Sequence, residues 1–177
     1  MKQILCFGDS NTWGYNPQDG SRFDWGIRWT SILQQRMEYD NVRIIEEGLC
    51  GRTSVFEDEL RPGRRGMDVL PFLLESHTPL HTVIIMPGTN DCKSIYHANE
   101  TIIGRGVESL IRIVQSMQPT AKILLISPIH LGDSVWTKEF DPEFDEHSVT
   151  VSYGLKEAYE SVARKTGVEF LAASDYA

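Results

Sequence analysis

At 177 residues, 41% of them apolar, and with no Pro/Gly-rich or Ser-rich linker, the chain is long enough to bury one sizeable core and reads as a single domain. Its 17 Lys and Arg against 25 Asp and Glu give a formal charge of −8, and its best basic cluster (Arg61, Arg64, Arg65) is diluted by Glu57, Asp58 and Glu59, which argues against nucleic acid as a partner. No apolar run approaches the roughly 20 residues that span a bilayer, no basic stretch leads into an apolar one at the N-terminus, and Cys6, Cys50 and Cys92 lack metal-ligand spacing, so a cytoplasmic protein with free thiols and no membrane span, metal or cofactor is expected.

The first apolar run, QILCF (3–7), reads as a strand, and after it Trp29, Ile32, Leu33 and Met37 recur at helical spacing. VRII (42–45) is a second strand. Val69, Phe72 and Leu73 mark a short helix with Pro71 in its first turn. TVIIM (82–86) is a third strand, followed by the clearest helix, where Ile103, Val107, Leu110, Ile111, Val114 and Met117 share one face until Pro119 stops it. KILLI (122–126), a helix running from Leu155 through Tyr159, Val162 and Ala163 to a C-terminal Gly167, and VEFLA (168–172) complete the series. The strands are short, mostly continuous and rich in β-branched residues, as expected when both faces are buried. Alternating β and α with right-handed crossovers gives an α/β fold with an open, five-stranded parallel sheet covered by helices on both faces.

In such sheets ligands bind beyond the carboxyl ends of the strands, where the strand order reverses. The residues there are Gly8-Asp9-Ser10-Asn11, Gly48-Leu49-Cys50-Gly51 and Gly88-Thr89-Asn90-Asp91. Each alone is an ordinary turn, loop or helix cap; the three together, each closing its own strand, suit acyl transfer. Ser10 on a tight strand-to-helix turn exposes its hydroxyl and offers its own N–H to a developing oxyanion. Gly51 can bring a second backbone N–H close with no Cβ in the way, and the amide of Asn90 supplies a third donor. A second Gly-Asp-Ser, ending at Ser134, is separated from its strand by 128–131 and reads as loop. Neither a Gly-x-Ser-x-Gly elbow, a Walker A pattern nor Gly-x-Gly-x-x-Gly is present, which leaves a phosphate or nucleotide binder a poor alternative.

ILCFGDSNTWG, the glycine pair ending at Gly51, and PGTND together resemble the first three sequence blocks of the GDSL-type SGNH hydrolases, a family of esterases and lipases. RWTSILQQR and IIEEGLCGRTS resemble more narrowly its short-chain arylesterase and acyltransferase members. The resemblance implies a flavodoxin-like three-layer α/β/α fold, hydrolysis of a small-molecule ester through an acyl-serine, and acyl transfer to alcohols. It makes Ser10 the nucleophile, with the Ser10 N–H, the Gly51 N–H and the Asn90 side chain as the oxyanion hole. Asn11 stands where many members have leucine.

Family members complete the site with an Asp-x-x-His after the fifth strand, and 1–177 contains none: no aspartate lies three positions before His77, His81, His97, His130 or His147. The fifth strand also lacks a following helix to cover it. The domain is therefore expected to continue past Ala177 with a loop carrying Asp-x-x-His and an amphipathic helix. The alternative is a non-catalytic binding protein of the same fold. Trp13, Tyr15 and Trp25 are candidates to line an apolar acyl or aryl pocket.

Overall fold

A computed structural model describes residues 1–37 and 41–177. Five strands, β1 (Lys2–Gly8), β2 (Val42–Gly48), β3 (Thr82–Met86), β4 (Lys122–Ser127) and β5 (Glu169–Ala172), form one parallel sheet in the order β2-β1-β3-β4-β5. The helices are α1 (Ser10–Trp13), α2 (Trp29–Arg36), α3 (Gly66–Ser76), α4 (Glu100–Met117) and α5 (Glu146–Thr166). None of them is long and apolar enough to cross a membrane.

Side chains alternate across the sheet, as the two-residue period of a strand requires. Leu5, Phe7, Ile45, Val83, Ile85 and Leu125 face one way, into a core closed by α3, α4 and α5 through Leu70, Leu74, Val107, Leu110, Leu155 and Tyr159. Ile4, Cys6, Ile44, Ile84, Met86 and Ile126 face the other way, where Trp29 and Leu33 of α2 pack against them. The second face is covered unevenly. Beyond α2 an open hollow of about 660 Å³ runs over Met86, Ile126, Pro128, Ile129, Leu171, Ala173 and Tyr176.

The register levels the carboxyl ends of the central strands: Gly8 of β1 stands opposite Gly48 of β2 on one side and Met86 of β3 on the other. The three loops that follow therefore leave from one edge at the switch point between β1 and β3. Tyr159, fully buried, donates its hydroxyl to the Pro87 carbonyl at 2.7 Å. Its oxygen lies 2.1 Å from where a Cβ on Gly88 would stand, so only glycine fits there, at φ +140°.

Several elements differ from expectation. α3 begins at Gly66, which places Pro71 inside the helix and not in its first turn, and Phe72 is 71% exposed because Leu70 and Leu74 carry the buried face. α5 begins at Glu146, well upstream of Leu155, capped by Asp145, whose carboxylate accepts from the Ser148 N–H at 2.7 Å while the Ser148 hydroxyl answers the Asp145 N–H. A serine at the third helical position replaces the Glu or Gln of the usual capping box, which hid the start. β5 is an edge strand with Glu169 and Leu171 exposed, so it is not buried on both faces.

Candidate active site

Ser10 is the first residue of α1, separated from the end of β1 by Asp9 alone. Asp9 caps that helix, its carboxylate accepting from the Asn11 N–H at 3.0 Å, and the turn closes at Gly14 in the left-handed region. The chain thus passes from strand to helix with no intervening loop, which gives Ser10 a fixed place at the sheet edge. Burial pushes the Asp9 carboxyl up to about 6, against hydrogen bonds from Asn11 and Thr89 and the charge of Arg52.

The second loop reaches the same place through Gly51, which holds φ +83°. The third brings Asn90, at the start of a 3₁₀ turn over Asn90–Cys92 and nearly buried. The Asn90 amide nitrogen donates one hydrogen to the Arg52 carbonyl at 3.1 Å, which fixes the amide and leaves its second hydrogen free to point elsewhere. Asp91 ties the same turn to the second loop by accepting from the Ser54 N–H at 2.9 Å and from the Ser54 hydroxyl. Burial raises its carboxyl to about 6 as well. Asn11, the departure from the family pattern, donates to the Thr89 hydroxyl at 3.2 Å and so links the first and third loops.

Ser10, Gly51 and Asn90 line one cavity of about 340 Å³. Arg61 and Lys93 stand on its wall, joined through Glu143: Arg61 donates to the Glu143 carboxylate at 3.2 Å and to Asp58 at 2.8 Å, and Lys93 pairs with Glu143 too. The segment after β4 forms the far side through Val135, Phe140 and Asp141. Of the expected aromatic lining only Tyr15 is present. Trp13 and Trp25 are not in the lining; they lie under the guanidinium groups of Arg22 and Arg28, at 5.3 and 5.5 Å.

Cys50 shares the cavity, but burial, with the charge of Asp9 adding to it, raises its thiol further above neutrality and keeps it protonated. Ser134 is exposed in the segment after β4 and takes no part in the lining. None of the five histidines lines the cavity. His77 pairs with Glu47 at 2.8 Å, His81 bonds the Thr82 hydroxyl, and His130 packs on Tyr153 with the rings tilted by 47° and their centroids 4.3 Å apart. His147 sits in the first turn of α5, and His97 holds a left-handed backbone after a second 3₁₀ turn.

The profile of the GDSL-like lipase/acylhydrolase family matches residues 6–177. The chain belongs to this family. No curated protein sequence matches it. Among solved structures, the fold is similar to that of a carbohydrate acetylesterase from Sinorhizobium meliloti, at 34% identity and a TM-score of 0.89, covering 99% of this chain and 85% of that one. The native aryl esterase of M. smegmatis gives the same values. An SGNH-hydrolase family esterase at 19% identity shares the fold, with a TM-score of 0.67 over 96% of this chain and 75% of that one. This GDSL-like hydrolase is accordingly a carboxylic ester hydrolase with the α/β fold of SGNH enzymes.

Proposed function

We propose that the hydrolase cleaves short-chain carboxylic esters through an acyl-enzyme on Ser10. The observation that carries this is the single cavity bounded by Ser10, Gly51 and Asn90, with Ser10 held at a strand-to-helix turn. Ser10 Oγ attacks the ester carbonyl and gives its proton to a general base as the Oγ–C bond forms. The carbonyl oxygen becomes an oxyanion held by the Ser10 N–H, the Gly51 N–H and the free Asn90 amide hydrogen. The C–O bond to the alcohol then breaks, the alcohol leaving with the proton. Water, or a second alcohol in acyl transfer, takes the acyl group by the reverse sequence.

The base in this reading is the histidine of an Asp-x-x-His loop following Ala177, with the aspartate orienting it. Two features support that reading: no histidine lines the cavity, and a largely apolar hollow of about 660 Å³ lies open beside α2. Acetyl esters of a phenol or of a carbohydrate are the substrates to try first, because the similar structures from M. smegmatis and S. meliloti are an aryl esterase and a carbohydrate acetylesterase. Three cysteines without disulfide partners suit the reducing cytoplasm. Hydrolysis of an aryl acetate by the protein with its natural C-terminus, lost on replacing the histidine of that loop by alanine, is the expected result. Full activity in that variant would remove the proposed base.

A further inference from the structure

The three proposed oxyanion donors lie on three separate loops, and the ladder that levels β1, β2 and β3 ends at Gly8, Gly48 and Met86, before any of those loops is reached. Beyond the ladder one backbone bond, from the Leu49 N–H to the Gly8 carbonyl at 3.2 Å, joins the second loop to the end of β1, and side chains supply the remaining ties between the loops. Asn11 to Thr89 joins the first loop to the third, and Ser54 to Asp91 joins the second to the third. Arg52 reaches all three. Its Nη1 donates to the Gly8 carbonyl at 3.0 Å, two residues before Ser10, and to the Glu47 carbonyl at the end of β2. The residue follows Gly51 directly, and its own carbonyl accepts from the Asn90 amide. The guanidinium lies over the Phe7 ring, 4.3 Å from its centroid, and the residue is 3% exposed.

We infer that Arg52 is a positioning residue for the oxyanion hole, fixing the Ser10, Gly51 and Asn90 donors relative to one another without itself touching the substrate. The inference rests on the proposed roles of those three residues. A buried cation over an aromatic ring at the base of a fold has a simpler use, to anchor strand ends, and that alone would leave catalysis intact in any variant that folds. The geometry asks for more. Donors must lie about 2.7–3.1 Å from the place the oxyanion will occupy, and a misplacement of about 1 Å costs on the order of 10²-fold in rate. The Asn90 amide takes its direction from the Arg52 carbonyl, and that carbonyl is placed by the clamp its side chain makes on Gly8 and Glu47. Lysine can keep the charge and donate to both carbonyls, which in Arg52 share the single Nη1, but it lacks the planar guanidinium packed on Phe7, and its flexible stem does not hold the ammonium in one place between them.

The test compares Arg52→Lys, Arg52→Met, Asn90→Ala and the Arg52→Lys/Asn90→Ala pair in the protein with its natural C-terminus. Kinetics are measured on an aryl acetate, beside thermal melts. We expect Arg52→Lys to lower kcat by about 10–100-fold with KM within about threefold, and its effect to shrink when Asn90 is already alanine, since both act on one oxyanion. A folded Arg52→Lys with kcat close to the parent, or fully multiplicative losses in the pair, overturns the inference. If neither Arg52 variant melts cooperatively, Phe7→Leu decides: it removes the ring beneath the guanidinium and keeps the core apolar, and an unchanged kcat there counts against Arg52. A readout that needs no turnover separates this inference from the proposed function. The two Asn90 side-chain amide protons should resolve in the NMR spectrum of the parent and shift together in Arg52→Lys, where unchanged signals overturn the positioning role whether or not any ester is cleaved. Ester hydrolysis that survives in Ser10→Ala would instead overturn the proposed function.

Discussion

Asn90→Ala removes two interactions at once, and they can be read separately. Its free amide hydrogen is the proposed third oxyanion donor, and loss of such a donor costs about 10²–10³ in kcat, about 2.7–4 kcal/mol of transition-state stabilisation, with a smaller effect on KM. Its other amide hydrogen satisfies the buried Arg52 carbonyl at 3.1 Å. Leaving a buried acceptor unpaired costs about 1–3 kcal/mol of folding stability, which in a domain of this size lowers Tm by roughly 2–4 °C per kcal/mol. Steady-state kinetics on an aryl acetate beside thermal melts should therefore show both a large kcat loss and a melt lowered by several degrees. A lowered Tm with kcat within about threefold of the parent would refute the donor role and leave Asn90 as a brace for the second loop.

Ser10→Ala should abolish ester hydrolysis, with a loss of at least about 10³-fold, while Ser134→Ala leaves it unchanged; equal losses would mean that the wrong Gly-Asp-Ser has been assigned. Burial raises Asp9 and Asp91 to about 6 in the fold from an ordinary 3.8. The stability these two carboxyls contribute is fully present below about pH 4 and lost as pH rises through about 6, so urea unfolding should show a protein more stable at about pH 5 than at about pH 7, by on the order of 1 kcal/mol. Asp91→Asn should flatten that dependence, and a stability that falls between about pH 7 and about pH 5 would contradict it. Arg61 and Lys93 on the cavity wall are already paired with Asp58 and Glu143, and Glu139 and Asp141 line the same cavity. An ester carrying a carboxylate should then be turned over about tenfold less efficiently than a neutral one of equal size, the gap narrowing in salt; equal kcat/KM values would show that a cation is free to meet it.

The sheet was legible because its strands are continuous apolar runs whose bounds the packing barely alters: TVIIM is β3 as it stands, and QILCF lies within Lys2–Gly8. The convergence of the three loops on one cavity was legible for the same reason. Glycines and a serine placed directly after strands have few positions open to them once the register levels Gly8, Gly48 and Met86. What escaped was set by tertiary contact. Phe72 matches the helical period of α3 yet faces outward, since Leu70 and Leu74 fill the space against the sheet. The start of α5 lay in the acidic segment around His147, where charge rather than apolar spacing marks the chain. Trp13 and Trp25 looked like pocket walls by proximity to Ser10, but they pack beneath Arg22 and Arg28 and do not line the cavity. Arg52 and the Asp91–Ser54 brace carry no periodicity at all, and the one signal in the sequence that could point to Arg52 is its place directly after Gly51.

The central claim is that Ser10 is a nucleophile poised against an oxyanion hole, and covalent labelling tests it most directly. The protein with its natural C-terminus is treated with a fluorophosphonate, and the adduct is located by intact mass and peptide mapping, with Ser10→Ala as control. The account predicts rapid labelling at one site per chain, on the peptide containing Ser10, and none in Ser10→Ala. An unlabelled parent protein, or a label that maps to Ser134 or persists in Ser10→Ala, would contradict it.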